Sequence, residues 1–103
     1  MREHGGWTVI EATGEIDLSN FQAVGDEISE LMNSGVDRVV LDLREVGFMD
    51  STGLRMLTDA HQQLAEVDGE LVVVVEGGPV SRLFSITGLD SVLTIADALP
   101  TDG

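Results

Sequence analysis

Apolar residues recur along this chain in three rhythms, and each predicts a different element. Residues 7–13, from Trp7 through Val9, Ile10 and Ala12, form a first periodic segment that Gly14 ends. Glu15, Ile16 and Asp17 follow at once, and the two stretches predict a pair of short strands near a sheet edge. Beyond them Phe21, Val24, Ile28, Leu31 and Met32 recur at helical spacing. Ser19 and Gln22 stand ahead of that stripe as a capping box, in which each side chain satisfies the other's orphan backbone N–H. A helix is therefore expected over 20–33, stopped at Asn33, Ser34 and Gly35 by a glycine suited to the left-handed cap.

The third rhythm is nearly continuous. Val39, Val40, Leu41 and Leu43 are interrupted only by Asp42, as in a strand covered on both faces, and residues 71–75 repeat the pattern. Between them Leu54, Leu57, His61, Leu64 and Ala65 keep helical spacing. This predicts a crossover helix over 53–66, joining parallel neighbours in a right-handed βαβ unit. A second crossover helix follows Pro79, with Val80, Leu83 and Phe84 as its stripe, Ile86 at the margin and Gly88 as its end. Residues 92–95 form the last strand, and 96–99 a short helical tail. The expected class is α/β, a small mixed sheet with parallel centre and antiparallel edge, in the order β-β-α-β-α-β-α-β-α. Length, 103 residues, and the absence of a linker or repeat make 1–103 one domain.

Composition narrows the partners more than the fold. With three Phe, one Trp and no Tyr the core must be aliphatic. Nineteen Asp and Glu against five Arg, with no Lys, leave a formal charge of -14. Phosphate backbones are held by Lys and Arg that displace condensed counterions, so nucleic acid and anionic membrane are excluded as expected partners. Residues 1–6 lack the apolar core of a signal peptide, and no apolar run approaches the ~20 residues that span a bilayer. A soluble, cytoplasmic protein is expected. The absence of Cys removes disulfides, thiol catalysis and iron–sulfur clusters from consideration.

The chemistry concentrates at Val46 to Leu54, just past a parallel strand and entering the next helix, where open α/β sheets place their sites. Ser51 is the hydroxyl to examine first, although Asp50, Ser51 or Thr52 would equally serve as a helix cap. A nucleophile needs a base and an orienting group. His4, in the first residues outside any expected element, and His61, on the stripe of Leu57 and Leu64, are the only histidines. The elbow G-x-S-x-G is absent, and both S-x-x-K and a phosphoaspartate receiver need a Lys that the chain lacks. Asp42, Glu45 and Asp50 match no metal-loop spacing, and Gly77, Gly78 and Pro79 lack the end of a nucleotide loop. No enzyme, cofactor or metal is expected.

Three motifs, in order, carry a resemblance over nearly the whole chain. Gly14-Glu15-Ile16-Asp17, then Val40-Leu41-Asp42-Leu43 with Phe48-Met49-Asp50-Ser51-Thr52-Gly53-Leu54, then Arg82-Leu83-Phe84-Ser85-Ile86-Thr87-Gly88-Leu89, together resemble the bacterial anti-sigma factor antagonists with a STAS domain. The resemblance implies a STAS-type domain and a partner switch. An anti-sigma factor that is also a serine kinase phosphorylates the antagonist, a serine phosphatase restores it, and only the unphosphorylated form holds the anti-sigma factor and frees the sigma factor. The accepting residue then corresponds to Ser51. Asp17, Asp50, Ser51, Thr52, Gly53 and Leu54 are the expected partner-binding residues, and the free protein is expected to be a monomer. Phosphate on Ser51 is expected to face free N–H groups and the positive end of the helix dipole. The alternative is a sensor or scaffold module that uses the same fold to bind a small molecule or a larger signalling assembly.

Overall fold

In the computed structural model, which describes residues 2–100, Gly5 and Gly6 both take positive φ, 58° and 89°. A two-residue type I′ hairpin needs that combination. It folds Arg2–His4 (β1) back along Trp7–Ile16 (β2), with Arg2 opposite Val9 and His4 opposite Trp7 in antiparallel register. The antiparallel edge therefore begins earlier than expected, and His4 is half-buried within a strand. The chain continues through Phe21–Asn33 (α1), Arg38–Met49 (β3), Ser51–Ala65 (α2), Glu70–Val74 (β4), Gly78–Thr87 (α3), a 3₁₀ turn at Leu89–Ser91 and Thr94–Ala96 (β5).

The sheet order is β1-β2-β3-β4-β5, and every pair after the first is parallel. Each crossover moves one strand onward in the same direction, so right-handed connections must lay their helices on one face. They do: Ile28, Leu31, Leu57, Leu64, Val80 and Phe84 join Val39, Leu41, Leu43 and Val73 in a single buried cluster. The other face carries a smaller one, of Trp7, Val9, Val40, Val72 and Val74, against which Leu99 packs. There the Arg38 guanidinium lies 4.4 Å from the Trp7 ring centroid, a cation–π contact.

The strands expected over 7–13 and 15–17 are one strand, and β3 runs six residues past its expected end at Leu43. Register explains both. Between Glu11 and Thr13, and again between Gly14 and Glu15, β3 uses one residue more than β2, which makes two bulges. Each bulge flips the side-chain phase. The core residues of β3 after Leu43 are consequently Val46 and Met49, spaced by three, and a period-two reading loses the strand at the first bulge.

Other ends also differ from expectation. The Ser19–Gln22 box does not form: Asn20 is the N-cap of α1 and makes no side-chain capping bond, while the Ser19 hydroxyl donates to Asp17 Oδ1 at 2.6 Å. The C-terminus of α1 closes as expected, with Val36 N–H donating to the Leu31 carbonyl and Gly35 N–H to that of Met32, both at 3.0 Å. Helix α2 starts two residues early, because Asp50 caps it. Ile86 is 76% exposed, since it sits two residues from buried Phe84 on a helix and so points away from it. The last strand is Thr94–Ala96, and residues 97–100 form a bend and irregular chain in place of the helical tail, four residues being too few to offset helix nucleation.

Candidate functional site

Ile16 and Met49 are partners at the ends of β2 and β3, and Asp50 N–H donates to the Ile16 carbonyl at 3.2 Å. The turn after β2 and the loop after β3 therefore leave the sheet side by side, at the carboxyl end of the parallel strands. Asp50 holds extended backbone, φ -101° and ψ -173°, and caps α2. Its Oδ1 accepts from Thr52 N–H at 3.0 Å, from Gly53 N–H at 3.2 Å and from the Thr52 hydroxyl. Leu18 N–H, in the neighbouring turn, faces the same carboxylate. The Thr52 hydroxyl, opposed by partial burial and aided by the N–H groups of Gly53, Thr52 and Leu18, holds the Asp50 carboxyl below its ordinary range.

Ser51, the first residue of α2, is exposed, and its hydroxyl has no hydrogen-bond partner among the described residues. Thr52 is half-buried with its hydroxyl engaged. In the adjoining turn Asp17 Oδ1 accepts from both the backbone and the hydroxyl of Ser19, and Asp17 N–H donates to Asn20 Oδ1 at 2.9 Å. Asn20 in turn donates from its amide to the Glu15 carbonyl at 2.7 Å. Asp17 thus shapes the turn before α1 and lies half-exposed beside the Ser51 loop.

Of the six residues expected at the site, Asp17, Asp50, Ser51 and Thr52 gather around these two loops. Gly53 is buried and acts differently. A Cβ there would lie 2.6 Å from Met49 Cγ and 3.1 Å from Ile16 Cγ2, so glycine lets the first turn of α2 seat directly on the strand ends. Leu54 is half-buried against the helix-side core. Two residues join the site that sequence reading left out. Leu18, in the turn after β2, is 72% exposed, and Phe48, one residue before the end of β3, is 47% exposed. Phe48 carried a faint signal: Met49 must face the core, so its neighbour in the strand faces outward.

The helix N-terminus is not open to an added anion in the expected way. The first turn of α2 offers the N–H groups of Ser51, Thr52 and Gly53, and the Asp50 carboxylate already takes the last two. Neither histidine approaches Ser51. His61 lies ten residues along α2, about 15 Å at helical rise, and His4 pairs with Trp7 at the opposite end of β2 from Ile16. Asp42, Glu45 and Asp50 do not converge either. Asp42 is 5% exposed on the second face and holds Arg44 through two bonds of 2.8 and 3.0 Å, whereas Asp50 caps a helix beyond the far end of the strand. The Arg44 guanidinium is held above its ordinary pKa chiefly by its hydrogen bonds to Asp42. Next to the loops, a groove of about 430 Å³ runs between α1 and α2 over Phe21, Gly25, Ile28, Met56 and Ala60, with Thr52 at one margin.

The strand order, the crossovers and the capped serine loop coincide with a described domain type: residues 1–101 match the STAS domain. The chain belongs to the STAS domain family. Its sequence is 29% identical over 98 residues to the anti-sigma F factor antagonist of Paenibacillus polymyxa, covering 94% of this chain and 84% of that one. It is 27% identical over 86 residues to the anti-sigma-B factor antagonist of Staphylococcus aureus, covering 84% and 80%. Among solved structures, an anti-sigma factor antagonist from Mycobacterium paratuberculosis superposes on this STAS domain with a TM-score of 0.85 at 30% identity, over 95% of this chain and 83% of that one. The expected fold class stands, as a five-stranded mixed sheet with three helices on one face. No helix among the described residues is long and apolar enough to cross a membrane.

Proposed function

We propose that this STAS domain is an anti-sigma factor antagonist switched by phosphorylation of Ser51. Unmodified, it binds an anti-sigma factor that is also a serine kinase and so releases the sigma factor. Phosphate on Ser51 blocks that binding until a serine phosphatase removes it. The protein is a cytoplasmic regulator with no catalysis of its own, a monomer when free, and it engages neither nucleic acid nor membrane. Its relatives bear the name of anti-sigma factor antagonists. The observation that carries the reading is the free, exposed hydroxyl of Ser51 at the start of α2, beside the turn that carries exposed Leu18. An interface centred there can bury the Leu18 side chain beside a neutral serine.

Phosphate would add about -1.5 to -2 charges beside an already ionised Asp50, on a helix start where Asp50 already takes two of the three first-turn N–H groups. The new charge is therefore poorly compensated within the chain, and a partner surface fitted to the neutral serine must desolvate it. Reversing a binding equilibrium from 99:1 to 1:99 takes about 5.5 kcal/mol, and an unpaired charge at the centre of an interface supplies several of those. The fold need not change. Calorimetry against the cognate anti-sigma factor tests the switch. Ser51→Ala is expected to bind as tightly as the unmodified protein, Ser51→Asp at least about tenfold more weakly, and the phosphoprotein more weakly still. The alternative, a sensor for a small molecule, would draw on the α1–α2 groove. It requires S51A and S51D to bind the anti-sigma factor alike, while a ligand raises the Tm of both.

A further inference from the structure

Two hydroxyls stand in succession at the start of α2, and one is free. The hydroxyl of Ser51 is exposed and unbonded, while that of Thr52 is half-buried at the groove margin and donates to Asp50 Oδ1. The same oxygen receives the N–H groups of Thr52 and Gly53. A carboxylate anchored by two backbone donors of the helix's first turn stays in place when the Thr52 side chain rotates. Thr52 is β-branched, so few χ1 wells are open to it, and the bond to Asp50 fixes one of them.

We propose that Asp50 selects the acceptor: it holds the Thr52 hydroxyl inward and leaves Ser51 as the one nucleophile within a kinase's reach. This rests on the phosphorylation reading above. In transfer from a nucleoside triphosphate, the acceptor oxygen forms a bond to the γ-phosphorus while the bond from that phosphorus to the β–γ bridging oxygen breaks. The nucleoside diphosphate leaves, and the hydroxyl proton passes to a base of the kinase. The acceptor must turn a lone pair to the nucleotide in line with the leaving oxygen. Ser51 does so by rotating one bond. Thr52 must first break a charge-assisted hydrogen bond and leave its half-buried position. An Asp50 whose carboxyl already receives this many donors is a weak base, so it restrains Thr52 without activating it. Asp50 is thus a positioning residue that acts through Thr52.

The test exposes the full chain to the cognate anti-sigma kinase and ATP, then maps phosphate by peptide mass spectrometry in wild type, S51A, S51A/D50G and S51A/D50N. Glycine at an N-cap is tolerated almost as well as a capping side chain, and Asn keeps the accepting oxygen. Wild type is expected to carry phosphate on Ser51 alone and S51A to carry none. S51A/D50G should gain phosphate on Thr52 by about tenfold or more over S51A, the equivalent of one lost hydrogen bond to a charged group, and S51A/D50N should stay close to S51A. Side-chain scalar couplings give a readout that needs no kinase: Thr52 should occupy one χ1 rotamer in wild type and D50N, and average over several in D50G, while Ser51 averages in all three. Phosphate on Thr52 of S51A, a folded S51A/D50G with no gain, or averaged Thr52 rotamers in wild type would each overturn the proposal. A kinase that leaves wild type unmodified at both hydroxyls defeats the functional reading instead, and the couplings then decide whether Asp50 restrains Thr52.

Discussion

Asp50 accepts donors from Thr52 and Gly53, and its carboxyl is held below the ordinary carboxylate range, chiefly by the Thr52 hydroxyl. A folded-state pKa lower than the unfolded one means that the folded chain binds fewer protons. The stability this confers is present above the unfolded value, near 3.8, and is lost as pH falls through the folded value. Asp50→Asn removes the titration while keeping a cap. Urea unfolding over a pH series should therefore show the two proteins furthest apart near neutrality and converging in acid, and a gap independent of pH would refute the assignment. At this scale the sequence was partly readable. Asp50, Ser51 and Thr52 were visible as a cluster at the end of a strand, but their division of labour was not, because which hydroxyl is bonded depends on rotamers set by the turn carrying Leu18. Leu18 itself gave no signal, being a single apolar residue outside any period.

Among the elements, α2 shows how the site is held. Its first turn approaches the ends of β2 and β3 so closely that a methyl group at Gly53 would overlap Met49 and crowd Ile16, which are 4% and 2% exposed and have little room to yield. Gly53→Ala gains up to about 1 kcal/mol of helix propensity, but overpacking costs about 1–3 kcal/mol. A net loss is expected, read as a Tm lower by several degrees at about 4–8 °C per kcal/mol for a domain this size. A higher Tm would show that Met49 swings aside freely. The three helices and β4 were legible because each keeps one period from end to end, as Leu54, Leu57 and Leu64 do in α2. β3 was legible only up to its first bulge, where Leu43, Val46 and Met49 abandon alternation. The hairpin of β1 was missed although Gly5 and Gly6 marked its turn, since three residues are too few to display a period.

For the molecule as a whole, a charge of -14 on a chain this small works against compactness. Two of its five arginines are engaged on the second face, Arg38 over Trp7 and Arg44 on Asp42, and leave the carboxylates elsewhere to repel one another. Sodium chloride raised from about 0.01 M to about 0.15 M shortens the Debye length from about 30 Å to about 8 Å, so Tm should rise over that range. A flat or falling Tm would show that the charges are already spaced beyond mutual influence. The same field favours a basic partner, and association with the anti-sigma factor should slow with added salt. The sheet order has one more consequence. β1 and β5 are only three residues long, and β1 pairs with β2 over Trp7–Val9 alone, so among the described residues Ile10–Ile16 of β2 have no strand on that side. Long, open edges are where sheets from different molecules join and aggregate. A protein that acts by titrating another must accumulate to match it in number, and along that open stretch the exposed carboxylates of Glu11 and Glu15, on a chain of charge -14, oppose one copy templating the next.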